Sequence, residues 1–549
     1  MEKDIFLLIA INLPINNSVY IYKFNSSMNE EFPLSKGQFV NCPLGKRKTI
    51  GLIVDFDIDL SELENRNKDI SYHFEITSQA KKIKNIEDRN LEYDSISDFE
   101  LSFLRWISNY YHYNLGKLIF EIIPKLYVKS KKLINTKEKK LGIDGEGKEL
   151  DFQKTEQQNL VLTEILQVVE NNSAIFEHHK INRSLLLGVT GSGKTIVYLD
   201  VILKVLNSGK SVLLLLPEIN MTPQFVDFFS RYVHTKIILY HGSLTSNLKT
   251  RIWHYLKNAT NSVLVIGTRS SIFIPIKNLG LIIVDEEHDQ SFKQEEKCCY
   301  HARDLALKTS QMLKIPILLG SATPSLETYY FHKKNHFLNY FTLPQRVFLG
   351  TPANINFTDE ISQEFSPLSN NTIKKIENAL LNKEQVLIFL NRLGFSRFVQ
   401  CSSCKKTFNC LNCSVTLRYF KEKNLLKCQY CDFEIRKPDF CPDCGCLDIE
   451  KIGYGTEKIK EILEKIFPNH TTKRFDREEI NTYPKVLKLM NEFSEKKIDI
   501  LIGTQMLSKG HNFKNVHLVV VLGIDYALNF ADFKTNERVF QLLTQVIGR

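Results

Sequence analysis

The run Gly188-Val189-Thr190-Gly191-Ser192-Gly193-Lys194-Thr195 spells G-x-x-x-x-G-K-T, after the apolar stretch 184–187 and before the helical IVYLDVILKVL. In that strand–loop–helix setting, glycines let backbone N–H groups close around phosphates at a helix N-terminus. Lys194 then reaches the β- and γ-phosphates, and Thr195 offers a hydroxyl to Mg²⁺. Further along, Leu281-Ile-Ile-Val284-Asp285-Glu286-Glu287-His288 puts acids at the end of an apolar strand. Asp285 is expected to hold Mg²⁺ and Glu286 to orient or activate the attacking water, which implies an ATPase and not merely a nucleotide binder. Hydroxyls in Gly320-Ser-Ala-Thr323 are placed to sense the γ-phosphate. Gly503-Thr504-Gln505 and Gln545-Val-Ile-Gly548-Arg549 add polar and cationic groups able to close over a nucleotide.

A second chemistry lies between them. Eight of the 12 cysteines form four C-x-x-C pairs, Cys401/Cys404, Cys410/Cys413, Cys428/Cys431 and Cys441/Cys444. Such a pair aims two thiolates at one Zn²⁺, so four pairs make two tetrahedral four-cysteine sites. Three pairings are possible. Only residues 405–409 separate the first two pairs, whereas 414–427 are long enough for a hairpin. The spacing favours nesting, with Cys410, Cys413, Cys428 and Cys431 on one ion and Cys401, Cys404, Cys441 and Cys444 on the other. Cys446 reads as a spare. Closed all-cysteine sites leave no position for water, so the zinc is structural.

Positioning these groups calls for several domains, and 549 residues provide for them. SLLLGV, SVLLLLP, KIILY, SVLVIG, LGLIIVDE and IPILLGSA alternate with amphipathic helices from residue 156 on. Runs apolar on both faces belong to parallel strands covered by helices. QVLIFL, DILIGT and VHLVVVLG repeat the pattern after residue 385. The expected fold is α/β, with two tandem parallel-sheet lobes at 156–345 and at 346–400 plus 447–549. The Cys-rich insertion takes 401–446. Short β-prone runs make 1–105 a small β-rich domain, and 106–155 reads as a helix followed by a lysine-rich linker. Lys+Arg 72 against Asp+Glu 62 gives +10, a balance suited to a polyanionic partner. No run reaches the ~18 apolar residues of a membrane span, and a cytoplasmic protein without a membrane partner is expected.

The order GKT, DEEH, SAT, GTQ, QxxGR resembles superfamily 2 helicases. The linking segments are narrower: LPEINMTPQF, VLVIGTRSSIFIPIKNLGLIIVDEEHDQSFKQEE, YHARDLAL, FLNRLGFSRFVQCSSC and ILIGTQMLSKGHNF resemble the PriA family of replication-restart helicases. That likeness runs from Gln157, which joins the nucleotide-contacting set, to Arg549, a catalytic candidate. Upstream, GQFVNCPLGKRKTIGLIV resembles the family's DNA 3′-end-binding domain, which points to Lys46, Arg47 and Lys48 as DNA contacts. The resemblance implies that both lobes are RecA-like and that the chain is an ATP-dependent 3′→5′ DNA helicase with Mg²⁺ and two structural Zn²⁺. It would act on forked DNA, single strands and 3′ ends. Its partners would be primosome proteins, single-strand-binding protein and a replicative helicase loader. It also implies that the loop 291–303 carries Phe292, Lys293, Tyr300 and Arg303 to DNA.

Two departures shape the expectations. A winged-helix domain usual in the family is missing from 126–155. The sequence stops inside Q-V-x-G-R-x-G-R, so a chain that binds ATP and forks but hydrolyses poorly is one alternative. Another superfamily 2 translocase is the other.

Overall fold

The computed structural model describes residues 4–13, 19–25, 34–58, 83–125, 141–170, 182–217, 223–335, 338–347, 353–358, 368–390, 398–413, 415–420, 424–428, 431, 433–452, 455–475, 483–504, 515–524 and 532–547. The chain divides into two compact units. One comprises 1–187, 193–324 and 328–343; the other comprises 344–549 with the short segments 188–192 and 325–327.

The first unit begins with an antiparallel sheet built from Asp4–Ile11 (β1), Val19–Asn25 (β2), Phe39–Leu44 (β3), Arg47–Phe56 (β4) and Asp88–Arg89 (β5), in the order β2-β1-β4-β3-β5. Alternation along β1 sends Leu7, Ile9 and Ile11 to one core with Tyr22, Val40 and Ile53. It sends Leu8 and Ala10 to the other, with Phe39 and Leu52. Helices Asp98–Tyr110 and Leu115–Ile122 supply Leu101, Leu104, Leu118 and Ile119 to that second core. The first helix starts at a capping box, in which Ser97 and Glu100 satisfy each other's backbone N–H groups. Residue 105, the expected domain boundary, falls inside this helix.

The same core continues onto a larger sheet. Its strands are Ile143–Asp144 (β6), Arg183–Gly188 (β7), Ser211–Leu215 (β8), Lys236–Tyr240 (β9), Val263–Gly267 (β10), Leu279–Asp285 (β11), Ile317–Ser321 (β12) and Asn339–Leu343 (β13). The order is β13-β7-β12-β11-β8-β10-β9-β6, and the pairs from β7 through β9 are parallel. Both faces are covered: Leu213 and Leu215 of β8 join the core shared with the N-terminal domain, while Val212 and Leu214 join a second with Val197, Ile202 and Phe229. This is why these strands are apolar at every position and not alternating.

Residues 141–155 correct the linker expectation. β6 pairs antiparallel with β9, and Gly142 and Gly145 lie where an added Cβ would sit 2.5 Å from the Ile237 carbonyl oxygen and 2.0 Å from that of Val233. Phe152 packs edge-on against Tyr232, and Lys154 pairs with Asp200 at 2.8 Å. A two-residue strand and two close glycine contacts leave no periodic signature. The lysine-rich 126–140 lie outside the described residues.

In the second unit, Thr472–Phe475 (β20), Ile500–Gly503 (β21), Gln385–Leu390 (β14) and Val516–Leu522 (β22) form a parallel sheet in that order. Again neighbours along β14 diverge, Ile388 and Leu390 to one core and Leu387 to another. Between β14 and β20 the chain leaves the sheet for the cysteine block. Phe398–Cys401 (β15) pairs with Ile449–Ile452 (β19) at its base, and Arg418–Phe420 (β16), Leu425–Lys427 (β17) and Glu434–Arg436 (β18) form an antiparallel meander within. Among the described residues no helix is long and apolar enough to cross a membrane.

Candidate nucleotide and zinc sites

β7 delivers the phosphate loop from a strand in which Leu185 and Leu186 are fully buried. Gly191 and Gly193 both adopt φ +81°, a left-handed backbone open to glycine and strained for residues with a Cβ. Gly193 begins helix Lys194–Asn207 without any side-chain cap. A helix N-terminus left to its backbone amides favours an anion, in keeping with a phosphate there.

β11 ends beside it. Asp285 is buried, and Glu286 turns the chain at φ +48°, a backbone that costs a residue with a Cβ roughly 1–2 kcal/mol. Lys194 Nζ lies 3.9 Å from Glu286 Oε1, with only 11% of the lysine side chain exposed. Tyr198, one helical turn beyond Lys194, donates its hydroxyl to Asp285 Oδ1 at 2.9 Å. Burial, and then the Glu286 carboxylate, push the Asp285 carboxyl well above the usual range; Lys194 and the Tyr198 hydroxyl oppose them. Glu286 Oε2 is buried with no hydrogen-bond partner. Asp285 and Glu286 both draw on the Lys194 ammonium, and the Asp285 carboxylate and the Thr195 hydroxyl are oxygen donors of the kind Mg²⁺ prefers. The residues therefore fit Mg²⁺–ATP. The turn continues into β12: His288 Nδ1 is 2.7 Å from Ser321 Oγ, which also accepts the Thr323 N–H at 2.9 Å.

The cysteine block contains two four-thiol clusters, Cys401/Cys404/Cys441/Cys444 and Cys410/Cys413/Cys428/Cys431. This is the nested pairing. The four pairs share one local device: the N–H of the first cysteine donates to the carbonyl five residues on, from 401 to 406, 410 to 415, 428 to 433 and 441 to 446, at 2.7–3.0 Å. The turn so closed points both thiols the same way. Sulfur separations of 3.4 Å for Cys401–Cys444 and 3.5 Å for Cys404–Cys441 and Cys410–Cys431 are far beyond a disulfide bond. They approach the ~3.8 Å edge of a tetrahedron with ~2.3 Å Zn–S bonds. Cys446 stands outside both clusters, 3.4 Å from Ser402 Oγ. The nesting follows from strands: β15 and β19 bring the outer pairs together, and the β16–β18 meander brings the inner ones.

Three family models match this chain: the PriA 3′ DNA-binding domain over residues 8–124, the DEAD/DEAH box helicase over 155–330 and the PriA DNA helicase Cys-rich region over 410–436. The chain is 36% identical over 501 residues to the replication restart protein PriA of Rickettsia prowazekii, covering 89% of this chain and 74% of that one. The chain belongs to the PriA family. Identity to the PriA proteins of Haemophilus influenzae and Bacillus subtilis is 40% over 378 residues and 39% over 401. The chain spans about half the length of these two relatives, at 52% and 49%. Among solved structures, RecG bound to a three-way DNA junction aligns at 15% identity over 99% of this chain and 71% of that one, with a TM-score of 0.36.

The PriA-family DNA-contact candidates fare unequally. Lys46, Arg47 and Lys48 are exposed at the β3–β4 turn, where Lys48 pairs with Glu87 at 2.7 Å. In the loop after the acids the structure corrects the expectation. Phe292 is fully buried and Tyr300 is 8% exposed, packed edge-on against Phe273. Arg303 is bonded at 2.9 Å to the fully buried Glu287, which also accepts the Thr328 hydroxyl at 3.0 Å. Rings and a guanidinium committed to the core are not available to stack on bases here. Lys293 alone of the four is exposed; its ammonium bonds the Cys299 carbonyl and lies 5.7 Å from the Tyr111 ring centroid.

Gln157 is half-buried in the first turn of helix Glu156–Glu170, while its neighbour Gln158 is spent on a capping box with Thr155. Gln505, Gly548 and Arg549 lie outside the described residues. Sequence reasoning missed Tyr198, Gly320 and Glu287. Only the placement of Tyr198 four residues after Lys194, on the same helix face, could have signalled any of them.

Proposed function

We propose that this chain works in the cytoplasm as an ATP-driven DNA helicase of replication restart, moving 3′→5′ and opening abandoned forks for primosome assembly. The observation that carries the proposal is the meeting of Lys194 with Glu286 and of Tyr198 with Asp285 at the end of one sheet, in a chain whose residues 8–124 match a 3′ DNA-binding domain. Lys194 would bind the β- and γ-phosphates, and Glu286 would orient the attacking water and take up its proton. Thr195 and Asp285 would hold Mg²⁺, which supplies charge neutralisation at the phosphates when bound. The amides from Gly191 to Thr195 would cradle the phosphates, with Gln157 beside the nucleotide. Lys46 and Arg47 would meet DNA phosphates, and single-strand-binding protein, primosome proteins and a helicase loader would be the protein partners. The zinc clusters would stay structural, since four thiolates per site leave no coordination position open.

Steady-state ATP hydrolysis with and without single-stranded DNA tests this reading, paired with unwinding of a fork with a 3′ tail and of an RNA duplex. DNA-stimulated hydrolysis and unwinding of the fork alone are expected. Preference for the RNA duplex would point instead to another nucleic-acid translocase. Glu286→Gln should retain ATP without hydrolysing it, because the phosphate contacts survive when the water-orienting carboxylate is lost.

A further inference from the structure

Tyr198 is fully buried in the second turn of the helix that starts at Lys194 and Thr195, and its hydroxyl is bonded to Asp285. A phenylalanine would bury the same ring without a polar group that needs a partner. The neighbouring strand makes room for that hydroxyl. A Cβ added to Gly320, the next-to-last residue of β12, would sit 1.6 Å from the Tyr198 hydroxyl oxygen and 2.8 Å from the ring carbon that bears it. Glycine within a strand costs roughly 0.5–1 kcal/mol relative to alanine, and here space between the strand and Tyr198 requires it. Two positions on separate elements therefore serve one contact.

We propose that Tyr198 is a positioning residue for the Asp285 carboxylate, holding it at Oδ1 so that its orientation toward a divalent cation is set before the cation arrives. The inference rests on the nucleotide-site reading above. Helix Lys194–Asn207 carries both the Thr195 hydroxyl and Tyr198, so the contact ties the two donors offered to the metal to one rigid element. A carboxylate bonded at one oxygen can turn only about that bond, and such outer contacts typically govern metal affinity 10–100-fold.

The test is binding of a fluorescent ADP analogue to the full, zinc-loaded chain, titrated with Mg²⁺ in chelator-free buffer, for the parent and Tyr198→Phe. The expected result is that Tyr198→Phe binds nucleotide without Mg²⁺ as the parent does, but needs about 10–100-fold more Mg²⁺ to reach the tightened state. Gly320→Ala, which drives the hydroxyl off Asp285, should weaken the Mg²⁺ response in the same direction. Equal Mg²⁺ dependence in parent and Tyr198→Phe would overturn the proposal. So would loss of binding by Tyr198→Phe with and without Mg²⁺ alike, since the hydroxyl would then serve the fold and not the metal. A parent chain that binds no nucleotide would instead sink the nucleotide-site reading itself.

Discussion

Around the phosphate loop, the candidate site groups hang from strands that carry fully buried residues. Leu185, Leu186, Ile283 and Val284 are all at 0% exposure. Between residues 398 and 452 the supports are strands of three or four residues and a core of a few side chains: Val399, Phe408, Val415, Leu417, Tyr419, Leu426 and Ile449. That core is small. In each cysteine pair the first residue is buried and the second reaches the surface, so the clusters sit half in solvent. The candidate nucleotide site is thus organised by hydrophobic burial. The cysteine block has a much smaller apolar core, and zinc bound at its thiol clusters would supply folding energy there.

Removing a zinc ligand is the harshest way to sharpen this contrast. Thiolate–zinc binding is worth ~10 kcal/mol or more in small domains. Cys428→Ser is expected to lower zinc content from two ions per chain to one and to raise amide hydrogen exchange across residues 408–436. Nucleotide affinity should stay within about two-fold of the parent's. Equal loss of nucleotide binding would show that the two regions do not stand independently.

Lys194→Ala makes the opposite cut. ATP turnover should fall at least ~10²-fold, because the ammonium neutralises charge that develops on the phosphates. Zinc content and thermal midpoint should hold, since the lysine serves a ligand and not the core. A drop in midpoint as large as that of a core truncation would break the comparison.

Gly320→Ala probes the packing beneath the site. The added methyl has no room beside Tyr198, and overpacking of this kind costs about 1–3 kcal/mol. Denaturant unfolding followed by intrinsic fluorescence should show this loss, with zinc content unchanged.

The last effect is confined to acid. Burial, followed by the Arg303 charge, lowers the His301 pKa to about 4, and its Nδ1 is buried without a hydrogen-bond partner. The native state therefore keeps the imidazole neutral, whereas the unfolded chain takes up a proton below about pH 6.5. Stability from this residue is intact above that pH and declines as pH falls from about 6.5 to about 4, by up to ~1.4 kcal/mol per pH unit. His301→Gln should flatten that slope in equilibrium unfolding. An unchanged slope would mean that His301 is protonated in the native state.

What the sequence determined by itself is whatever a few adjacent residues decide. The phosphate loop, the apolar strand runs and the zinc knuckles are local, set by backbone freedom at Gly191 and Gly193 and by two-residue spacers between thiols. The nested zinc pairing was legible for the same reason: the short 405–409 and the longer 414–427 limit which pairs can meet. Tertiary structure decided the rest. Tyr198, Asp285 and Gly320 meet only because β11 and β12 pair beside helix Lys194–Asn207. Phe292, Tyr300 and Arg303 look like surface groups in a polar loop until the buried Glu287 and the ring of Phe273 draw them inward. Burial depends on what packs from distant parts of the chain, and no window of sequence contains the partner that decides it.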